Sequence, residues 1–589
     1  MEACITPLDG EEAGNGLFPH RRPRESQMDF LEDARMCASQ RTHLVAHAPT
    51  GLGKTAVALT AALECVLEDG GAVLFLTSRQ SQHAIAVETA RSIWKRRHIG
   101  VVDLIGQEDM CLAKKAPLPC RNGGACFFSR SAPSGADLLE YPLHVQEASR
   151  ACLKEGVCPY RTALEASRRA ELVIADYNHL FSPTPSILER TGRRADDVLV
   201  IVDEAHNLPG RVMENYSASL TKGDIRAAVE DSSLRHFRED LSLLEDIWTR
   251  MVRSTNPRLG AGAIDEVLAR SIGVDSGGLG EELSEALRRG GGGHDRLVHF
   301  LLSWGRSGQG VARYFDERSA SLVVRLVDPS LITGPVFSRV RCAVVMSGTL
   351  HPPGMFADLL GIEGAVCREY LSPFPPQNRR VLVWGGVTSR FRLRSEVQYR
   401  RIALRLGEIC GHVPGNVAAF FPSYDFISRV ESLLDVPGRR IISERREFGK
   451  SEREAAVALL SKGGKALLLA SLNGGLYEGV DFKGNLLSAV AVVGFPLPPP
   501  SPELRAYEDH LLTRFGPRRA GLYAQTYPAI SKVLQACGRA IRSEEDRAAL
   551  ILMDDRYLLP HIRSSFPADF EATLSRKVGE ELGVFFNGD

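Results

Sequence analysis

The segment Thr42–Lys54, THLVAHAPTGLGK, constrains the fold of this chain more than any other stretch. A short apolar run passes into a glycine-bearing turn, and apolar spacing through Ala56–Val66 then predicts a helix. The turn Ala48-Pro49-Thr50-Gly51-Leu52-Gly53-Lys54-Thr55 matches the phosphate-binding loop, with Ala48 in place of its first glycine. In such a loop Thr50, Gly51 and Gly53 turn main-chain N–H groups towards phosphates, and the positive end of the helix dipole adds to the attraction. Lys54 then reaches the β- and γ-phosphates, and the Thr55 hydroxyl ligates Mg²⁺.

A second signal stands at the end of another apolar run, Val198–Val202 (VLVIV). It is Asp203-Glu204-Ala205-His206. An aspartate at a strand's C-terminal end can hold Mg²⁺, and the adjacent glutamate can polarise an attacking water. Loop and carboxylates together point to hydrolysis of a nucleoside triphosphate. Upstream, Arg24 and Gln27 precede a helix-like stretch and are candidates to read an adenine edge. The strand Ala72–Leu76 runs into Thr77-Ser78-Arg79-Gln80, a loop placed to touch a nucleic-acid backbone.

The 589 residues exceed what one core holds, so two to four domains are expected. No run of about 18 uncharged apolar residues appears. The acidic start, MEACITPLDGEEAGNG, lacks a secretory h-region, which predicts a cytoplasmic protein, or a nuclear one if the source cell has a nucleus, without a membrane partner. Lys+Arg and Asp+Glu are equal at 72 each, so net charge names no partner. Locally, however, eight arginines (379, 380, 390, 392, 394, 400, 401 and 405) face one acid, Glu396. Such a stripe can neutralise phosphates or simply be a solvated helix face.

A second α/β half is legible downstream. Cys342–Met346 ends in Ser347-Gly348-Thr349-Leu350, and a Pro-rich join at 372–376 follows. Asn416–Phe421, Ala466–Ala470, Ala489–Val493 and Ala549–Met553 then read as buried strands of a parallel sheet. This half carries Gly475–Phe482 (GLYEGVDF) and Gln535-Ala536-Cys537-Gly538-Arg539-Ala540-Ile541-Arg542. On a helix Arg539 and Arg542 would share one face, and one of them could act on the γ-phosphate as an arginine finger. Two halves of this kind suit a nucleotide clamped between lobes.

The order of APTGLGKT, DEAHN (203–207), SGTL (347–350), EGVDF (478–482) and QACGRAIR (535–542) resembles the XPD family of superfamily 2 helicases, with its FANCJ and DinG relatives. GQEDMC ending at Cys111, CPY at Cys158–Tyr160 and ADYNHLF at Ala175–Phe181 extend the likeness over nearly the whole chain. The resemblance implies two RecA-like motor domains with two insertions. It also implies ATP with Mg²⁺, 5′→3′ travel on single-stranded DNA, unwinding at forks, and a role in DNA repair. The expected boundaries are 1–105, 166–210 and 326–370 for the first motor domain and 371–589 for the second. Residues 106–165 would form an iron–sulfur domain and 211–325 a mostly helical arch. Helical periodicity runs through Leu234–Val252 and Ile264–Leu287, and Gly290–Gly293 reads as a linker.

Five of the twelve cysteines lie between Cys111 and Cys158, a cluster that reads as metal ligation rather than disulfides in a large cytosolic chain. By the family pattern a [4Fe–4S] cluster takes Cys111, Cys120, Cys126 and Cys158, with Cys152 spare or a substitute for Cys120. Zinc is the rival metal. Two other functional readings stand beside the helicase: a repair scaffold with a degenerate motor, and an RNA-remodelling ATPase of the DEAH type. An arginine- and alanine-rich, lysine-poor composition fits a high-GC prokaryotic or archaeal source and a motor acting as a monomer.

Overall fold

The computed structural model describes residues 16–20, 23–111, 126, 137–252, 260, 262–290, 293–306, 308, 310–478, 482, 485–541 and 543–588. Seventeen strands occur among them. They are β1 Leu44–His47, β2 Ala72–Thr77, β3 Val101–Leu104, β4 Leu172–Asp176, β5 Val198–Val202, β6 Ala218–Thr221, β7 Val311–Asp316, β8 Ser321–Leu326 and β9 Cys342–Ser347. Then follow β10 Val366–Glu369, β11 Arg379–Val383, β12 Val417–Phe421, β13 Arg440–Ser443, β14 Ala466–Ser471, β15 Ala489–Val493, β16 Ala548–Met553 and β17 Thr573–Leu574. The chain divides into two compact units. One comprises Met1–Ala46, Gly53–Met346 and Phe356–Arg368; the other comprises His47–Leu52, Ser347–Met355 and Glu369–Asp589.

One seven-stranded sheet runs in the order β10-β1-β9-β5-β2-β4-β3. Its central strands are parallel, with Leu76 opposite both Val202 and Ala175. β1, β2, β5 and β9 are buried along their whole lengths. Near-continuous apolar runs are what a sheet covered on both faces requires. Insertion of 105–171 between the neighbouring strands β3 and β4 leaves their pairing intact, Leu104 opposite Ala175.

The second seven-stranded sheet runs β13-β14-β12-β15-β16-β11-β17, and every recorded pair in it is parallel. Alternate residues of each strand supply two cores. Ala418, Phe420, Leu468 and Val490 pack on one side, and Val417, Ala419, Phe421 and Leu467 on the other. The start of the arginine stripe is itself strand β11, inside this sheet. Arg379 and Arg380 reach out from it to Asp569 and Glu581.

Helices make up most of the described part of the arch segment, and β6, β8 and β7 add an antiparallel sheet against which they pack. Leu220, Leu322 and Val324 share one core with Leu241, Leu244, Trp248, Leu283 and Phe300. The Trp248 indole N–H donates to the Leu220 carbonyl at 3.2 Å, pinning helix to sheet. Periodicity at 264–287 resolves into two helices, Gly262–Ile272 and Ser276–Gly290. They part at Gly273, whose φ of +81° is a left-handed stop that glycine adopts without a Cβ penalty. Residues 291 and 292 of the glycine tract lie outside the described residues.

Candidate active site

Strand β1 delivers the phosphate loop to the helix Lys54–Asp69. Gly51 and Gly53 stand at φ +85° and +76°, where an L side chain costs roughly 1–2 kcal/mol. Space also demands glycine: a Cβ on Gly53 would lie 2.4 Å from Gln27 Nε2, and one on Gly51 would strike the Phe374 ring at 2.0 Å. Gln27 is therefore laid directly on the loop. Arg24 caps the helix Glu25–Gln40, and its N–H donates to Gln27 Oε1 at 2.8 Å. The adenine-edge candidates and the phosphate loop thus come together. Phe374 was missed in the sequence, where it stands among prolines without a motif.

Asp203 continues the ladder past β5, its N–H donating to the Leu76 carbonyl at 2.8 Å. Its carboxyl is buried, and Oδ1 finds no hydrogen-bond partner among the described residues. Burial pushes its pKa up to about 7 against the pull of Lys54, with Glu204 adding to the rise. Lys54 Nζ lies 3.3 Å from Glu204 Oε1. Glu204 has φ +50°, a left-handed backbone in a non-glycine residue, which costs of order 1–3 kcal/mol and concentrates at functional sites. His206 Nδ1 lies 3.4 Å from Glu204 Oε2, and burial lowers the His206 pKa. Asn207 Nδ2 donates to the Glu204 carbonyl at 3.3 Å. Tyr177, fully buried, donates its hydroxyl to the main-chain oxygen of Asp203. An orphaned carboxylate oxygen beside a lysine, with Thr55 in the first turn of the helix, suits a hard, oxygen-seeking cation such as Mg²⁺. Tyr177 was legible only as a letter in ADYNHLF; its contact needs β4 and β5 in one sheet.

In the second unit, Tyr477 of the GLYEGVDF segment donates its hydroxyl to Gln535 Oε1 at 2.7 Å. The shared helical face expected of Arg539 and Arg542 is not found. Helix Tyr527–Cys537 ends at Gly538, and Arg539 occupies the following turn with its side chain largely buried. The helix stops at Gly538, where periodicity alone would have carried it on. Arg542 lies outside the described residues, as do Gly479 and Asp481.

Cys111 caps the C-terminus of the short helix Gln107–Met110, and Cys158 precedes the helix Pro159–Ala166, against which that turn packs. Both cysteines are partly exposed, as is Cys126; Cys120 lies outside the described residues. Cys152 is buried in helix Val145–Lys154, and burial pushes its thiol pKa up. Among the described residues no three His, Cys, Asp or Glu side chains gather as a metal-binding group. The donors fit a thiophilic centre in kind, since sulfur suits a soft metal and Cys111, Cys126 and Cys158 are accessible, whereas burial disfavours the thiolate of Cys152.

Beyond β11 the arginine stripe splits. Arg405 is tied to the Trp384 and Gly385 carbonyls, and Arg394 to the Ser389 carbonyl at 3.1 Å. Arg390, Arg392, Arg400 and Arg401 are exposed and make no salt bridge among the described residues. Phe391 stands between two of them, 82% exposed.

Residues 77–225 match the DEAD_2 family model, and 406–573 match a helicase C-terminal domain. The chain belongs to the XPD-type helicase family. Its relatives include the ATP-dependent DNA helicase XPD of Sulfolobus acidocaldarius, 25% identical over 90% of this chain and 95% of the relative. The ATP-dependent DNA helicase chl1 of Neosartorya fischeri is 24% identical over 75% of this chain, which spans 62% of that protein. The XPD-type fold recurs in a solved XPD helicase structure with TM-score 0.67 and 23% identity, covering 94% of this chain and all of that one. The S. tokodaii Xpd4 structure gives 0.59 at 17% identity with 94% of this chain covered. Among the described residues of this XPD-type chain, no helix is long and apolar enough to cross a membrane.

Proposed function

We infer that this protein is an ATP-dependent DNA helicase that travels 5′→3′ on single-stranded DNA and opens duplex at forks, in DNA repair. The observation that carries this is the convergence of Lys54, the orphaned Asp203 carboxylate and the strained Glu204 at the strand-end mouth of a parallel sheet. Lys54 and the loop amides hold the phosphates, and Asp203 and Thr55 hold Mg²⁺, which neutralises phosphate charge when bound. Glu204, fixed by its backbone and by His206, orients the attacking water. Arg539 and Arg542 are the arginine-finger candidates that the second motor domain carries. Exposed Phe391, with Arg390 and Arg392 beside it, offers a base-stacking platform amid phosphate-neutralising charge, a sequence-tolerant mode of grip.

Cys111, Cys120, Cys126 and Cys158 are the proposed ligands of a [4Fe–4S] cluster, which supplies a rigid cross-link for the insertion. The burial of Cys152 favours Cys120 over it as a ligand. Strand separation by anaerobically purified protein, on duplexes with only a 5′ or only a 3′ tail, tests the reading. Unwinding that needs ATP and the 5′ tail is expected. Unwinding from the 3′ tail alone would overturn the polarity, and absence of ATP-driven unwinding on either would overturn the helicase.

A further inference from the structure

A second group of ionisable side chains lies in the first unit, away from the phosphate loop. His83, in the first turn of helix Gln80–Trp94, is fully buried. Its Nδ1 meets Asp103 Oδ1 at 2.6 Å, and its Nε2 faces Asp176 Oδ1 at 3.4 Å. The second contact is loose, since Nε2 makes no hydrogen bond among the described residues. Asp103 is buried on β3, and its other oxygen accepts the Val145 N–H at 2.8 Å. Val145 opens the helix by which the cysteine-bearing insertion returns to the motor.

Each end of this triad leads somewhere chemical. Asp176 ends β4 opposite Thr77, where the loop Thr77–Gln80 leaves β2. The next residue, Tyr177, holds the main chain of Asp203. His83 therefore joins three pieces: the loop expected to touch nucleic acid, the base of the insertion, and the strand end that positions the magnesium carboxylate. A buried ion triad stabilises no better than apolar side chains of equal volume and often worse. Stability alone gives little reason for one at this junction.

We propose that the Asp103–His83–Asp176 triad is the mechanical link through which nucleic acid and the cysteine-bearing insertion control ATP hydrolysis. Movement of the Thr77–Gln80 loop or of the insertion shifts His83 relative to Asp176. The loose contact tightens, and Tyr177 carries the shift to Asp203. His83, Asp103 and Asp176 are positioning residues and touch neither nucleotide nor metal. The inference rests on the helicase reading above.

Two variants cut the link at opposite ends without altering the phosphate site. Asp176→Asn removes the charge facing His83 Nε2. Val145→Pro removes the N–H that Asp103 accepts; proline is tolerated at a first helical position, and His144 already has the extended backbone that must precede it. Steady-state ATPase is measured with and without oligo-dT, alongside the ATP KM and the thermal midpoint. Each variant is expected to keep basal kcat and ATP KM within about twofold while losing at least about fivefold in DNA stimulation, the low end of ordinary coupling. Wild-type stimulation in both variants overturns the link. A parallel fall of basal and stimulated rates with a lowered thermal midpoint also overturns it, because it marks a structural tie only. A wild-type enzyme that DNA does not stimulate would instead defeat the helicase reading, and the link with it.

Discussion

Raising the pH from about 6.5 to about 9 should weaken the first unit as His83 loses its proton. Burial by itself would lower the pKa of its ring, but the hydrogen bond with Asp103 and the charges of Asp103 and Asp176 outweigh that and hold it at about 9, against 6.5 for a free imidazole. The folded state thus binds the proton more tightly than the unfolded chain. The resulting stabilisation is complete below about pH 6.5 and drains away as the pH climbs through about 9. The gap corresponds to about 3 kcal/mol for a ring with no exposed surface. Asp103→Asn keeps an acceptor for Val145 and removes the nearer of the two charges. Urea unfolding at several pH values reads the effect, and Trp94, at the far end of the helix that carries His83, is a fluorescent reporter of unfolding. The wild type should lose about 2–3 kcal/mol more than Asp103→Asn across this window. Parallel pH curves for the two proteins would refute the charge assignment.

Lys54→Ala should abolish ATP turnover, by at least about a hundredfold, while circular dichroism stays unchanged; normal turnover would remove Lys54 from the phosphate site. Iron and sulfide analysis after Cys111→Ser or Cys158→Ser should show loss of the cluster, whereas Cys152→Ser should retain it, as suits a thiol buried in a helix face. Phe391→Ala should weaken oligo-dT binding by about 1–3 kcal/mol in fluorescence anisotropy, the usual worth of one stacked base, with basal ATPase intact. Arg390→Ala should lower the salt slope of that binding by about 0.7, the share of one phosphate contact on a single strand.

The sequence by itself determined the motor. Apolar runs such as VLVIV and ALLLA must be buried on both faces, and glycines at 51 and 53 permit a left-handed turn at a helix start. Spacing along the chain therefore carried the two sheets, the phosphate loop and the carboxylates at the end of β5. Local pattern failed where the partner is distant. Arg379 and Arg380 read as part of a phosphate-neutralising stripe or a solvated helix face, yet they begin a strand, and Asp569 and Glu581 take their charges from far along the chain. Arg539 read as helical, but Gly538 closes the helix before it. The small antiparallel sheet under the arch helices pairs residues about a hundred positions apart, Ala218 with Val324. Tyr177 on Asp203, Gln27 on Gly53 and the His83 triad are all of this kind. Periodicity reports which face of an element is apolar; which two polar groups meet is decided only when the sheet brings its strand ends to one edge.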